Sequence, residues 1–162
     1  RKMNGMFAKG TLVYNTTICN LENYRKYGAL SNKKMADVTK KEIDVMHTKC
    51  SEINELITAL SGGNQQKVII GKWLERNPDV FLLDEPTRGI DVGAKFEIYQ
   101  LINKMAKEGK TIFFSTHILD VAEKLCDRVA IIKNGNIVKI GKMKDIKKDA
   151  SLEQVFLELG EK

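Results

Sequence analysis

Proline is scarce in this 162-residue chain, which holds only Pro78 and Pro86, and glycine numbers 12. A collagen-like chain and a Pro/Gly-rich disordered one are thereby excluded. Long apolar runs are also missing. The longest are fragments such as Val80-Phe81-Leu82-Leu83, against the ~18 residues that a membrane-spanning helix needs. Cysteine is sparse and odd in number: Cys19, Cys50 and Cys126 are far apart, with no Cys-x-x-Cys pair. That spacing excludes a zinc ribbon or a redox pair and fits a reducing cytoplasm. Aromatic residues make up 7% and do not interleave with the lysines, so the chain lacks the pattern of a nucleic-acid-binding surface. The opening stretch, Arg1-Lys2-Met3-Asn4-Gly5-Met6, has neither an initiator methionine nor the apolar stretch of a signal peptide, and reads as a cut end.

What is present is ordinary for a globular protein: 43% apolar and 30% charged residues, with a formal net charge of +6. The length is that of one domain or part of one. Basic residues are in excess toward both ends, and acidic residues gather in the middle.

Periodicity places the elements. Residues 1–30 are weakly patterned and predict a helix or two joined by loops. From Lys33 to Cys50, Met35, Val38, Val45 and Met46 allow an amphipathic helix with a basic outer face. Residues 51–60 read as a connector. After Gly62-Gly63, a helix with Val68, Ile69 and Trp73 on one face is expected to end near Asn77-Pro78, because a residue before proline disfavours the helical conformation. Val80–Leu83 is apolar without alternation and predicts a parallel strand covered on both faces. Asp91 is placed to cap a helix with Phe96, Tyr99, Ile102 and Ala106 in one stripe, closed by Gly109.

Thr111 to Ser115 reads as the next buried strand, and a helix with Val121, Ala122 and Leu125 follows. Strand, helix, strand, helix in this order is the signature of an α/β fold with a parallel sheet. Asn134-Gly135, between Val129–Ile132 and Ile137-Val138, predicts a tight hairpin. The lysines of residues 139–148 read as a surface linker. Ser151 opens a last helix, with Gln154 at the capping-box position and Leu152, Val155, Phe156 and Leu159 on one face.

Two stretches carry chemistry. Asp84 and Glu85 close the apolar run at the edge where an α/β sheet presents its ligands. Side chains alternate along a strand, so one carboxylate can hold a metal ion while the other faces a reacting water. Ser61-Gly62-Gly63, at the head of a helix, offers backbone N–H groups, a hydroxyl and the positive end of the helix dipole to a phosphate. Taken alone, either stretch also fits a plain reading: a salt-bridging pair or a helix cap.

Taken together, Leu60-Ser61-Gly62-Gly63, Asp84-Glu85-Pro86-Thr87, Asp91 and His117 resemble the ordered motif set of the ATP-binding-cassette (ABC) ATPases. LSGGNQQK (Leu60–Lys67) and DEPTRGIDVGAK (Asp84–Lys95) resemble the second ATPase half of the ribose/galactose-type sugar importers, while Ser115–Leu119 and the tail from Ser151 to Leu159 look more like export-type ABC ATPases. The resemblance implies an α/β fold: part of a P-loop NTPase-like ABC ATPase. A helical subdomain and connector would span residues 1–60, part of the catalytic core 61–140, and a C-terminal linker and helix 141–162.

It also implies ATP and Mg²⁺ as cofactors. Asp84 would serve the metal, Glu85 would act as general base, and His117 would contact the γ-phosphate. Ser61, Gly62, Gly63 and Gln65 would form the signature loop facing a nucleotide on a second ATPase domain, with Asp91 at the dimer interface. The partners implied are that second domain and transmembrane permease subunits at the inner face of the membrane, with no nucleic acid. No G-x-x-x-x-G-K-[ST] stretch is present among the 162 residues. The whole protein would therefore be a transport-coupled ATPase, whereas this chain alone is expected to be inactive. The other readings are an export-type subunit, an ATPase acting on DNA or ribosomes, and a non-catalytic module that pairs with a complete ATPase.

Overall fold

The computed structural model describes residues 5–148 and 150–160. It divides into two compact units, one running to Phe113 and the other from Phe114.

The first unit begins with α1 (Leu12–Thr17), capped by the Thr11 hydroxyl. Buried Asn15 ties the approach to this helix together: its amide donates to the carbonyls of Phe7, Gly10 and Thr11, and its Oδ1 accepts from the Phe7 N–H at 2.8 Å. A 3₁₀ stretch, Ile18–Tyr24, leads into a small antiparallel hairpin, β1 (Arg25–Lys26) and β2 (Ala29–Leu30). Sequence reading expects only helices here. The turn is Tyr27-Gly28, both with positive φ, and a tyrosine in that position carries none of the usual Asn-Gly signal.

Helix α2 (Asn32–Val45) buries Met35, Thr39 and Glu42. It stops short of the expected Cys50 because His47 adopts a left-handed conformation, φ 48°. Leu12, Ile57, Leu60, Val68 and Ile69 then form a core under α3 (Gly62–Leu74). Trp73 is half exposed instead of facing inward. Its neighbour Lys72 is buried, with Nζ donating to the Gly5 carbonyl at 2.6 Å, and burial lowers its pKa below the usual lysine range.

Strand β3 (Val80–Leu83), helix α4 (Val92–Lys107) and strand β4 (Thr111–Phe114) follow, with β3 beside β4. The expectation that these strands are covered on both faces needs correction. Phe81 is buried, but Val80, Leu82 and Phe113 are 54%, 75% and 62% exposed. A run without alternation marks a two-sided strand only where both layers are present, and among the described residues one face of this pair is open. The stripe on α4 is corrected as well. Ile98, Ile102 and Met105 are buried there, while Phe96 is exposed.

The second unit contains α5 (Leu119–Leu125), the hairpin of β5 (Arg128–Lys133) and β6 (Asn136–Lys142), α6 (Met143–Lys147) and α7 (Leu152–Gly160). The hairpin turns at Asn134-Gly135, both at positive φ, as the dipeptide predicts. Residues 139–148 are no linker: they complete β6 and form α6, whose Met143 and Ile146 are buried with Ala122, Ile131, Leu152 and Val155. Their lysines mask two well-spaced apolar residues. Ser151 and Gln154 cap α7 reciprocally, at 2.9 and 3.2 Å. Among the described residues no helix is long and apolar enough to cross a membrane.

Candidate functional site

The loop before α3 is built from its own side chains. Ser61 is the N-cap, and Gln65 turns inward, its Nε2 donating to the Leu60 carbonyl at 2.9 Å. Asn64 bridges two segments: its Oδ1 accepts the Lys49 N–H at 3.0 Å, and its Nδ2 donates to Ser61 Oγ at 3.1 Å. One turn further, Lys67 is 3% exposed, donates to the His47 carbonyl at 2.8 Å and pairs with Glu97 of α4 at 2.5 Å. The start of α3 is thus tied to the end of α2 and to α4.

Helix α4 begins beside it. Asp91 caps α4 by accepting the Ala94 N–H at 2.9 Å. Gly63 packs so closely there that a Cβ on it would lie 2.3 Å from the Ala94 Cβ and 3.7 Å from Asp91 Oδ2. Two helix N-termini therefore meet in one unit, and each presents the positive end of its dipole.

Strand β3 ends at Leu83, and the chain then turns. Glu85 has φ 40°, and its carboxylate accepts from Arg88 Nη1 at 3.0 Å. Buried Thr87 shares a hydrogen bond of 2.9 Å with the Tyr99 hydroxyl, which fixes the turn on α4. Gly89, at φ 68°, leads to buried Ile90 and the Asp91 cap. Asp84 is exposed at the strand end. His117 lies in the second unit, exposed in the segment between β4 and α5, where Thr116 Oγ1 accepts the Ile118 N–H at 3.1 Å.

The structure thus brings Gly63 and Asp91 together, with Ser61 at the cap of the same helix as Gly63, and sets Asp84 and Glu85 at the end of β3 in the same unit. Sequence reading gives no role to Asn64, Lys67, Arg88 or Thr87. The first two stand inside the LSGGNQQK stretch and the other two inside DEPTRG, so the signal was their membership of those stretches.

The donor set fits a magnesium-nucleotide. No group of three or more His, Cys, Asp or Glu that could hold a metal is found among the described residues. Magnesium of this kind takes one or two carboxylates, waters and substrate phosphates, not an all-protein cage. An exposed aspartate at a strand end is that type of ligand.

Comparison with known proteins places this arrangement. The ABC transporter family model matches residues 1–88. The galactose/methyl galactoside import ATP-binding protein MglA of Treponema pallidum (strain Nichols) is 57% identical over 152 residues, which cover 94% of this chain and 31% of that protein. This chain therefore spans about a third of that relative's length. Among solved structures, the dimeric post-hydrolysis ATP-binding cassette MJ0796 bound to ADP and Pi is 27% identical, with a TM-score of 0.72 over 85% of this chain and 59% of that one. An ATP-binding subunit of an ABC transporter is 25% identical, with a TM-score of 0.75 over 96% and 64%. Both likenesses run over most of this chain and little more than half of the other, as expected of part of an α/β ATPase fold. With its signature-like loop, its carboxylate pair and these relatives, the chain belongs to the ABC transporter family.

Proposed function

We propose that this chain is the signature-bearing and Walker B part of an ATP-binding subunit of a sugar-import ABC transporter, and that the whole protein couples Mg²⁺-dependent ATP hydrolysis to transport. One observation carries the reading: the N-termini of α3 and α4 touch at Gly63 and Ala94, close to Asp91, in the unit that also holds Asp84 and Glu85.

Two helix N-termini this close together favour an anion nearby, and a triphosphate held by a second ATPase domain would supply it. Ser61, Gly62 and Gly63 would meet its phosphates, and Gln65 would act through the loop it holds. Asp91 would lie at the interface between the two domains. Asp84 would hold Mg²⁺, which when bound neutralises phosphate charge. Glu85 would orient and deprotonate the attacking water, after leaving its partner Arg88, and His117 would contact the γ-phosphate. Membrane permease subunits would receive the motion at the cytoplasmic face. The importer reading, in preference to an exporter, is supported by the Treponema pallidum likeness. It covers 94% of this chain, and the Ser115–Leu119 stretch lies well inside that span.

The test is to mix the chain with a complete ATP-binding protein of the galactose-import kind. We expect an Mg-ATP-dependent complex and stimulated turnover, and the stimulation is expected to disappear when the chain carries Glu85→Gln. A complex without stimulation would favour the non-catalytic module, and no complex at all would overturn the reading.

A further inference from the structure

Asn64 occupies an informative position, because its two hydrogen bonds determine each other. The Lys49 backbone N–H can only donate, and Asn64 Oδ1 receives it at 3.0 Å. The other end of the amide, Nδ2, must then face Ser61 Oγ, and it does so at 3.1 Å. This assigns the amide orientation by chemistry, since oxygen and nitrogen cannot exchange places without setting a carbonyl against a hydroxyl and an NH₂ against an N–H. The Asn64 backbone N–H also points at Ser61 Oγ, at 3.4 Å. A hydroxyl has two lone pairs and one proton. Both lone pairs of Ser61 face Asn64 donors, so the proton is directed away from the loop.

We infer that Asn64 is a positioning residue that sets the Ser61 hydroxyl as an outward-pointing donor, so that this loop selects a ligand presenting an acceptor oxygen, such as a terminal phosphate. The inference rests on the functional reading above and names what fixes the polarity of its serine. An unconstrained serine can donate or accept. Here, acceptance by Ser61 is already used up, and a phosphate oxygen, which only accepts, meets the one remaining function of the hydroxyl. The Lys49 link extends the control to the segment after α2, so displacement of residues 48–50 would release the amide and with it the serine. Asn64 need not touch the ligand to do this.

The test uses Asn64→Asp, which keeps the shape and the bond from Lys49 but turns the second donor into an acceptor, so that the Ser61 proton swings inward. In the ATP-dependent complex with the complete ATP-binding protein, Asn64→Asp and Ser61→Ala are each expected to weaken association about tenfold or more; Asn64→Asp leaves the melting temperature unchanged, whereas Ser61→Ala also removes the cap of α3 and lowers it slightly. The double variant separates geometry from simple charge repulsion. If Asn64 acts through Ser61, Asn64→Asp adds little in the Ser61→Ala background, whereas an equal further loss there would overturn the inference. Asn64→Asp pairing like the parent chain would also overturn it.

A second measurement needs no partner. In the chain alone, the Asn64 side-chain amide proton resonances are expected to shift in Ser61→Ala, and unmoved resonances would overturn the inference. If the parent chain forms no complex while these resonances move, the functional reading fails and the Asn64–Ser61 geometry stands.

Discussion

Gly63 and Ala94 are in contact at a distance that admits no side chain on Gly63: a Cβ built there would lie 2.3 Å from the Ala94 Cβ. The glycine is required by the approach of α3 to α4, independently of any ligand. Neither partner atom is the end of a flexible chain, so the helices themselves must move if Gly63 changes.

Gly63→Ala is therefore expected to destabilise the chain by roughly 1–3 kcal/mol, the usual cost of overpacking. Ala94→Gly in the same chain should recover part of that loss, since it removes the atom that collides. Thermal or urea melts of the two single variants and the double variant check this, and a double variant no better than Gly63→Ala would place the strain elsewhere.

Titrating Mg-ATP into the purified chain by calorimetry is expected to give no detectable heat, and turnover should be negligible. The 162 residues include no P-loop pattern, and that loop supplies most phosphate contacts in P-loop nucleotide sites. Stoichiometric binding, or magnesium-dependent turnover abolished by Glu85→Gln, would show that another surface holds the nucleotide.

Glu42 gives stability a pH dependence. Burial, and next the nearby Glu75 carboxylate, raise its pKa above the ordinary carboxylate value of 4.5, and among the described residues its Oε2 has no hydrogen-bond partner. A raised carboxylate pKa favours the protonated native form. Its stabilising effect is present below pH 4.5 and is lost as pH rises through the folded-state value. Glu42→Gln, neutral at all pH, should raise stability at pH 7–8 by about 1 kcal/mol, since no charge is then buried, and should flatten the pH profile of the melting temperature. An unchanged profile would contradict this assignment.

The Cys126 thiol is pushed up to about 11, first by burial and then by the Asp127 charge. Only the thiolate reacts, so at pH 8 a disulfide reagent should label Cys126 in the folded chain roughly a hundredfold more slowly than in urea. Mass spectrometry of the labelled peptide reads this directly, and equal rates would contradict the burial of Cys126.

Much of the site was legible from local chemistry. Asp91, Gly109, Asn134-Gly135 and the Ser151/Gln154 box act within a few residues of themselves, and the structure uses each as its residue type dictates. The pattern Leu60-Ser61-Gly62-Gly63 with Asp84-Glu85 likewise pointed to the family, because capping groups and carboxylates must stand in sequence next to the helix or strand they serve. Where the reading failed, it failed over distance. Trp73 looks inward by period, yet Lys72 holds the buried position through a carbonyl 67 residues away. The lysines of 139–148 suggest solvent, yet Met143 and Ile146 reach a core shared with α5 and α7.

The sequence by itself determined where helices and turns begin and the family to which the motifs point, because these are set by short-range rules. Tertiary structure alone decided that Gly63 must be glycine, that Asn64 must face Ser61 by its nitrogen, and that among the described residues one face of the β3–β4 pair is open. Those facts depend on the approach of segments far apart in the chain, and periodicity along the chain carries no record of that approach.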